Sequence, residues 1–151
     1  MVAQFREIYL DGDWVVNTNL KSTLHEINYH QAVSTIGTHN SIAAITFHLN
    51  YYMAGILRVF DTGVLDISDK YSFDLPDLNN AESWQLLKKS TIENCELMAS
   101  KLEGLSDGYL DSDFVDKKYG SWRRNIEALI EHGYYHLGQI VLLTKLIPQG
   151  A

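Results

Sequence analysis

The sequence predicts an all-α fold, a four-helix bundle occupying residues 1–151 as a single domain. Three observations lead there. Four segments carry apolar residues at helical spacing between recognisable start and stop signals. No segment alternates apolar and polar residues long enough to compete as a strand. The length of 151 residues is that of one ordinary domain, enough to bury a single core.

The first helix is expected over residues 14–29, after a short helical turn around residues 4–10. Gly12 separates the two, Asp13 is a candidate cap, and Trp14, Leu20, Leu24 and Ile27 form a loose stripe. Its β-branched and Asn residues favour helix least of the four. The second helix is expected over residues 41–60, with Asn40 as N-cap and Gly63 beyond its end. It is apolar almost all round, from Ile42 to Phe60, as in a helix buried on more than one side. In so short a chain this predicts a subunit interface, hence a homodimer. Residues 61–80 read as a long loop, and long loops in compact domains are often functional.

The third helix is expected over residues 81–102, opened by a capping box of Asn79 and Glu82 and closed by Gly104. A second loop follows over residues 105–120. The fourth helix has the clearest signals and is expected over residues 121–147. Ser121 caps it, Pro148 and Gly150 end it, and Trp122, Ile126, Leu129, Leu137 and Ile140 mark its apolar face.

Composition limits the function. The 12 basic and 19 acidic residues give a net charge of −7, which disfavours nucleic acid as a partner. Cys95 is the only cysteine, so no internal disulfide is needed. The first twelve residues include Arg6, Glu7 and Asp11 and lack the apolar core of a signal peptide. No apolar run approaches the ~18 residues of a membrane span. These features predict a soluble cytoplasmic protein without membrane contact.

The chemistry concentrates in His132-Gly-Tyr-Tyr-His136 on the fourth helix. A spacing of four projects both imidazoles from one face about one turn apart, where they can share an ion. Such a pair alone is more often structural. His48 changes the balance, because it lies mid-helix in the nearly all-apolar second segment, where a lone imidazole is costly. One divalent ion would satisfy His48, His132 and His136 together, leaving an open position for water. Gln139, Asn125 and the neighbouring tyrosines are candidate partners for the remaining ring N–H groups. With no carboxylate ligand, Mg²⁺ and Ca²⁺ are disfavoured. Imidazole suits several transition metals; Zn or Ni leads, with Fe and Mn behind.

These stretches carry a resemblance. The segment from Ser41 through His48 to Tyr52 resembles the second-helix histidine segment of the DinB/YfiT-like metalloenzyme family. The segment Glu131-His132-Gly-Tyr-Tyr-His136-Leu-Gly-Gln139-Ile resembles that family's closing helix, and Trp84 at the start of the third helix fits too. The likeness covers nearly the whole chain in helix order and length. It implies a four-helix bundle with a three-His metal site in a cleft at one end, and often a homodimer. It also implies a superfamily with thiol-dependent S-transferases and a thiol-dependent isomerase, among many members of no known activity.

Other features read as ordinary. His25 and His30 mimic a metalloprotease motif but are spaced five apart, which turns the second ring by roughly 140°. His39 reads as a surface or capping residue, with lining a cleft mouth as the alternative. Cys95 shares an inner face with Thr91, Met98 and Leu102 and reads as a core residue. Asp66, Asp69, Asp74 and Asp77 read as a solvated loop able to shape a cleft. Two functions stay open: a metal-dependent enzyme, either a transferase using a low-molecular-weight thiol on a small-molecule substrate or a hydrolase, and a non-catalytic metal-binding stress protein. A third reading keeps the histidines as metal-free core residues.

Overall fold

Short polar side chains set where the helices begin. The computed structural model describes residues 1–150. In it, α1 (Val2–Arg6) runs on into a π-helical turn, Glu7–Asp11. There follow α2 (Leu20–Glu26), α3 (Tyr29–Val33), α4 (Ile42–Thr62), α5 (Ala81–Glu103), α6 (Asp107–Leu110) and α7 (Trp122–Leu146). Asn19, Asn28, Ser41, Asn80, Ser106 and Ser121 each accept a bond from the backbone N–H three residues on. Each bond satisfies a donor that the first helical turn leaves without an intrahelical partner.

The fold is all-α. Among the described residues there is no strand, only an isolated bridge between Asp113 and Ser121. Of the seven α-helices, three are long: α4, α5 and α7, with 21, 23 and 25 residues. These match the second, third and fourth expected segments within two residues at each end. Their caps differ in places. Ser41 rather than Asn40 caps α4, and the capping box at α5 is Asn80 with Ser83, not Asn79 with Glu82. Gly104 ends α5 in right-handed backbone, while Gly63 ends α4 at φ 71° with its N–H on Val59 O.

The expected first helix over residues 14–29 is not continuous. Residues 14–17 form a turn in which Val16 and Asn17 take φ of 54° and 53°. A β-branched residue in that region is a genuine outlier and cannot continue a right-handed helix. Asn19 and Asn28 then restart the chain twice, each through a capping box. Their side chains compete with the backbone for hydrogen bonds, which is why such residues interrupt helices. Asp13 makes no side-chain cap, and Trp14 stands 90% exposed instead of joining the stripe. Leu20, Leu24 and Ile27 are buried as expected.

α4 packs against both α5 and α7, and α2 with the π-helical turn also packs against both. Trp84 is fully buried, its indole N–H donating to Ile27 O at the end of α2. Gln31 donates to Ile147 O and so covers the C-terminal end of α7. The long loop is ordered by a 3₁₀ turn, Asp69–Tyr71, and lies along α4. A Cβ on Gly55 would stand 2.7 Å from the Ile67 side chain, so glycine there admits the loop. The apolar circumference of α4 is thus covered largely within the chain. A second close approach holds α7. The buried Tyr9 hydroxyl donates to Leu129 O at 2.6 Å, and its ring lies over Gly133.

A Cβ at Gly133 would meet the Tyr9 ring at 2.7 Å, and that ring is locked in the core. Helix propensity alone would make Gly133→Ala stabilising by about 1 kcal/mol. Overpacking is expected to win, for a net loss of ~1–3 kcal/mol in denaturant unfolding. A gain in stability would show that Tyr9 does not hold α7 in this way.

Candidate metal centre

α4 and α7 bring together the three histidines that the sequence singles out. His48 and His136 are buried at 8% and 6% exposure, and His132 is half-buried. The His132 and His136 rings, one turn apart on α7, have centroids 4.4 Å apart. His48 faces both from α4, each ring at 4.8 Å. The three candidate ligand nitrogens all lie within 4.8 Å of one another, and no other His, Cys, Asp or Glu joins the cluster among the described residues.

Hydrogen bonds fix which ring nitrogens face inward. Nδ1 of His48 lies 3.3 Å from the carbonyl of Ser72, which can only accept, so Nδ1 carries the proton. Nδ1 of His136 donates in the same way to Oε1 of Gln139 at 2.6 Å. Nε2 of both rings is left with a lone pair. Nε2 of His48 meets Nε2 of His132 at 2.9 Å. At that length His132 donates an Nε2–H to His48 in the metal-free protein, and a cation bound by both rings would take that proton's place.

The residues fit a metal on this ground. A tetrahedral ion with bonds of about 2.0–2.1 Å holds its nitrogens about 3.3 Å apart; here one pair stands at 2.9 Å and all three lie within 4.8 Å, so small ring movements would bring them to an ion. Ser72 O and Gln139 supply the outer acceptors that orient ligating imidazoles. The donor set of three neutral nitrogens suits a transition metal such as Zn or Ni. Burial keeps the rings neutral. Desolvation lowers the His132 pKa to about 4, helped by His136 and His48. Desolvation also lowers His48, with His136 adding to it, against opposing effects of Ser72 and Asp69. It lowers His136 against the bond to Gln139.

An aromatic shell surrounds the rings. Phe73 stacks on His48 at 4.0 Å, Tyr52 stands edge-on to His48 and His132, and Tyr135 edge-on to His136. The Tyr52 hydroxyl donates to Asp69 at 2.7 Å. A cavity of about 300 Å³ opens beside His132, walled by Tyr52, Ile56, Asn125, Ala128 and Leu129. It shares Tyr52, Ile56 and Asn125 with an outer cavity of about 400 Å³ reached by Asp69 and Tyr119.

Gln139 takes the outer-partner role expected of it. Asn125 instead donates to the carbonyls of Tyr119 and Ser121 and lines the cleft. Tyr51 bonds the backbone of Ser68, and Tyr134 plays no part in the cluster. His25 and His30 stand apart from it, while His39 lines a cavity that Gln139 also borders. Cys95 is buried in the core, where desolvation pushes its thiol well above the ordinary range, so it is no nucleophile. Sequence reasoning missed Ser72 and Phe73 as neighbours of His48. Asp69 was one of four acidic loop residues read as able to shape a cleft, and of these it is the one that lines the cavity.

The class defined by fold and site is an all-α protein with a three-histidine cluster between two long helices. Comparisons with family models, curated proteins and solved structures return no match.

The depressed imidazole pKa values set a pH dependence for the metal-free protein. The unfolded rings take up protons below about 6.5, whereas the folded His132 does so only near 4. Stability is therefore full above about pH 6.5 and lost progressively towards 4. Thermal unfolding in chelator should show this slope, flattened in His132→Asn. An unchanged slope in that variant would contradict the assignment.

Proposed function

We propose that the chain is a four-helix bundle of the DinB/YfiT-like type, its first helix broken into short pieces, holding one divalent transition metal through His48, His132 and His136. The observation that carries this is the grouping of three imidazoles, two buried and one half-buried, with candidate ligand nitrogens within 4.8 Å of one another and two Nδ1–H groups already held by outer acceptors. The likeness of the two histidine segments to that family supports it. Zn and Ni fit the donors best.

The open cleft beside His132 favours a metal-dependent enzyme over a sealed structural site. A divalent ion held there supplies Lewis acidity, lowering the pKa of a water or thiol beside it. The chain's own groups position what enters. Tyr52, fixed by Asp69, forms one wall, and Ile56, Ala128 and Leu129 give the other an apolar surface. A thiol-dependent transferase is the reading the resemblance favours, and a metal-assisted hydrolase uses the same groups. The homodimer and the cytoplasmic setting rest on the resemblance and on composition. No helix among the described residues is long and apolar enough to cross a membrane.

Elemental analysis after zinc or nickel loading should find one equivalent of metal in the native protein, and competitive metal titration should find binding at least about tenfold weaker in His132→Ala, no less than the loss of an outer partner costs. Far-ultraviolet circular dichroism would confirm that the variant keeps its helices. Undiminished binding in the folded variant would reject the ligand set.

A further inference from the structure

We propose that the cleft beside His132 takes a small, mainly apolar molecule whose ammonium end lies at the outer mouth, at Asp69, Tyr52 and Asn125 and away from His132, where a carboxylate or phosphate is disfavoured. The inference rests on the reading of His132 as a ligand at a substrate cleft and adds the substrate class.

The walls define an apolar body. Ile56, Ala128, Leu129 and the Tyr52 ring enclose the inner part, about 300 Å³, which suits one ring with a short side chain. Leu65, Ile67 and Phe114 continue this surface outward.

The polar groups define the other end. Both N–H groups of Asn125 are engaged by the carbonyls of Tyr119 and Ser121, which leaves Oδ1 to accept. The Tyr52 hydroxyl gives its proton to Asp69, which leaves its oxygen to accept as well. Asp69 is the one charged group on the lining, and no Lys or Arg lies there. Three arginines on neighbouring segments are turned to other partners. Arg58 pairs with Asp66, Arg123 with Asp107 and Asp111, and Arg124 with Glu131. Lys70 and Lys118 lie over the rings of Tyr71 and Tyr119. At this outer end an anion meets acceptors and a carboxylate, whereas an ammonium meets complementary charge. The net charge of −7 adds to this bias at longer range.

The test compares 2-phenylethylamine, protonated at pH 7, with phenylacetate, which matches it in shape and opposes it in charge. Titrations of metal-free native protein, followed by nuclear magnetic resonance, keep the carboxylate from binding through a metal. The amine should saturate with shifts centred on Tyr52, Asn125 and Tyr119, and bind at least about tenfold more tightly than phenylacetate. In Asp69→Asn that preference should shrink to about threefold or less. Equal or stronger binding of phenylacetate to the native protein, or no saturable binding of the amine, overturns the proposal. So does an amine preference that survives in the folded variant. Zinc titration of the same samples separates the two readings. One equivalent of zinc without amine binding defeats the cleft inference alone, and amine binding without zinc defeats the metal reading alone.

Discussion

The arrangement depends on three imidazoles withdrawn from water and turned towards one another. A histidine on a helix face costs little at the surface, but burial makes its charged form unfavourable and leaves its nitrogens in need of partners. His48 and His136 meet the outer half of that need with Ser72 O and Gln139 Oε1. The inner half is met only by the other rings, His48 and His132 at hydrogen-bond distance, where a cation could replace the proton they share. The neighbouring structure serves this constraint.

Two restraints hold the rings in register. On α7, Tyr9 reaches across from the π-helical turn to bond Leu129 O over Gly133, between the turns that carry His132 and His136. On α4, the loop lies down over Gly55 and delivers Ser72 and Phe73 to the His48 ring. The same loop brings Asp69 to Tyr52 and so forms the cleft wall. Core packing, ring orientation and cleft shape are therefore coupled: loosening the loop disturbs His48 and the cleft together.

Much of this was legible in the sequence. The spacing of His132 and His136, and the isolation of His48 in an apolar run, reveal the cluster because helix geometry converts spacing directly into direction. The ends of α4, α5 and α7 follow from Ser, Asn and Gly signals, although neighbouring candidates such as Asn79 and Asn80 differ by one residue and only the folded chain chooses between them. The first helix was misread because the stripe at Leu20, Leu24 and Ile27 was extended back to Trp14, across a turn where Val16 and Asn17 take left-handed backbone, and on past Asn28, which starts a separate helix. Ser72 and Phe73 were invisible for a different reason. They act across 24 and 25 positions from a loop, where no periodicity links sequence to direction. The apolar circumference of α4 pointed to a partner subunit, yet the chain's own loop and helices cover much of it.

The most direct test of the central claim is X-ray absorption at the metal edge of zinc-loaded protein. Convergence of His48, His132 and His136 predicts three imidazole nitrogens at about 2.0–2.1 Å, with the outer-shell scattering of histidine rings and no sulfur. A sulfur shell near about 2.3 Å, or fewer than three imidazoles in a stoichiometric complex, would contradict the account.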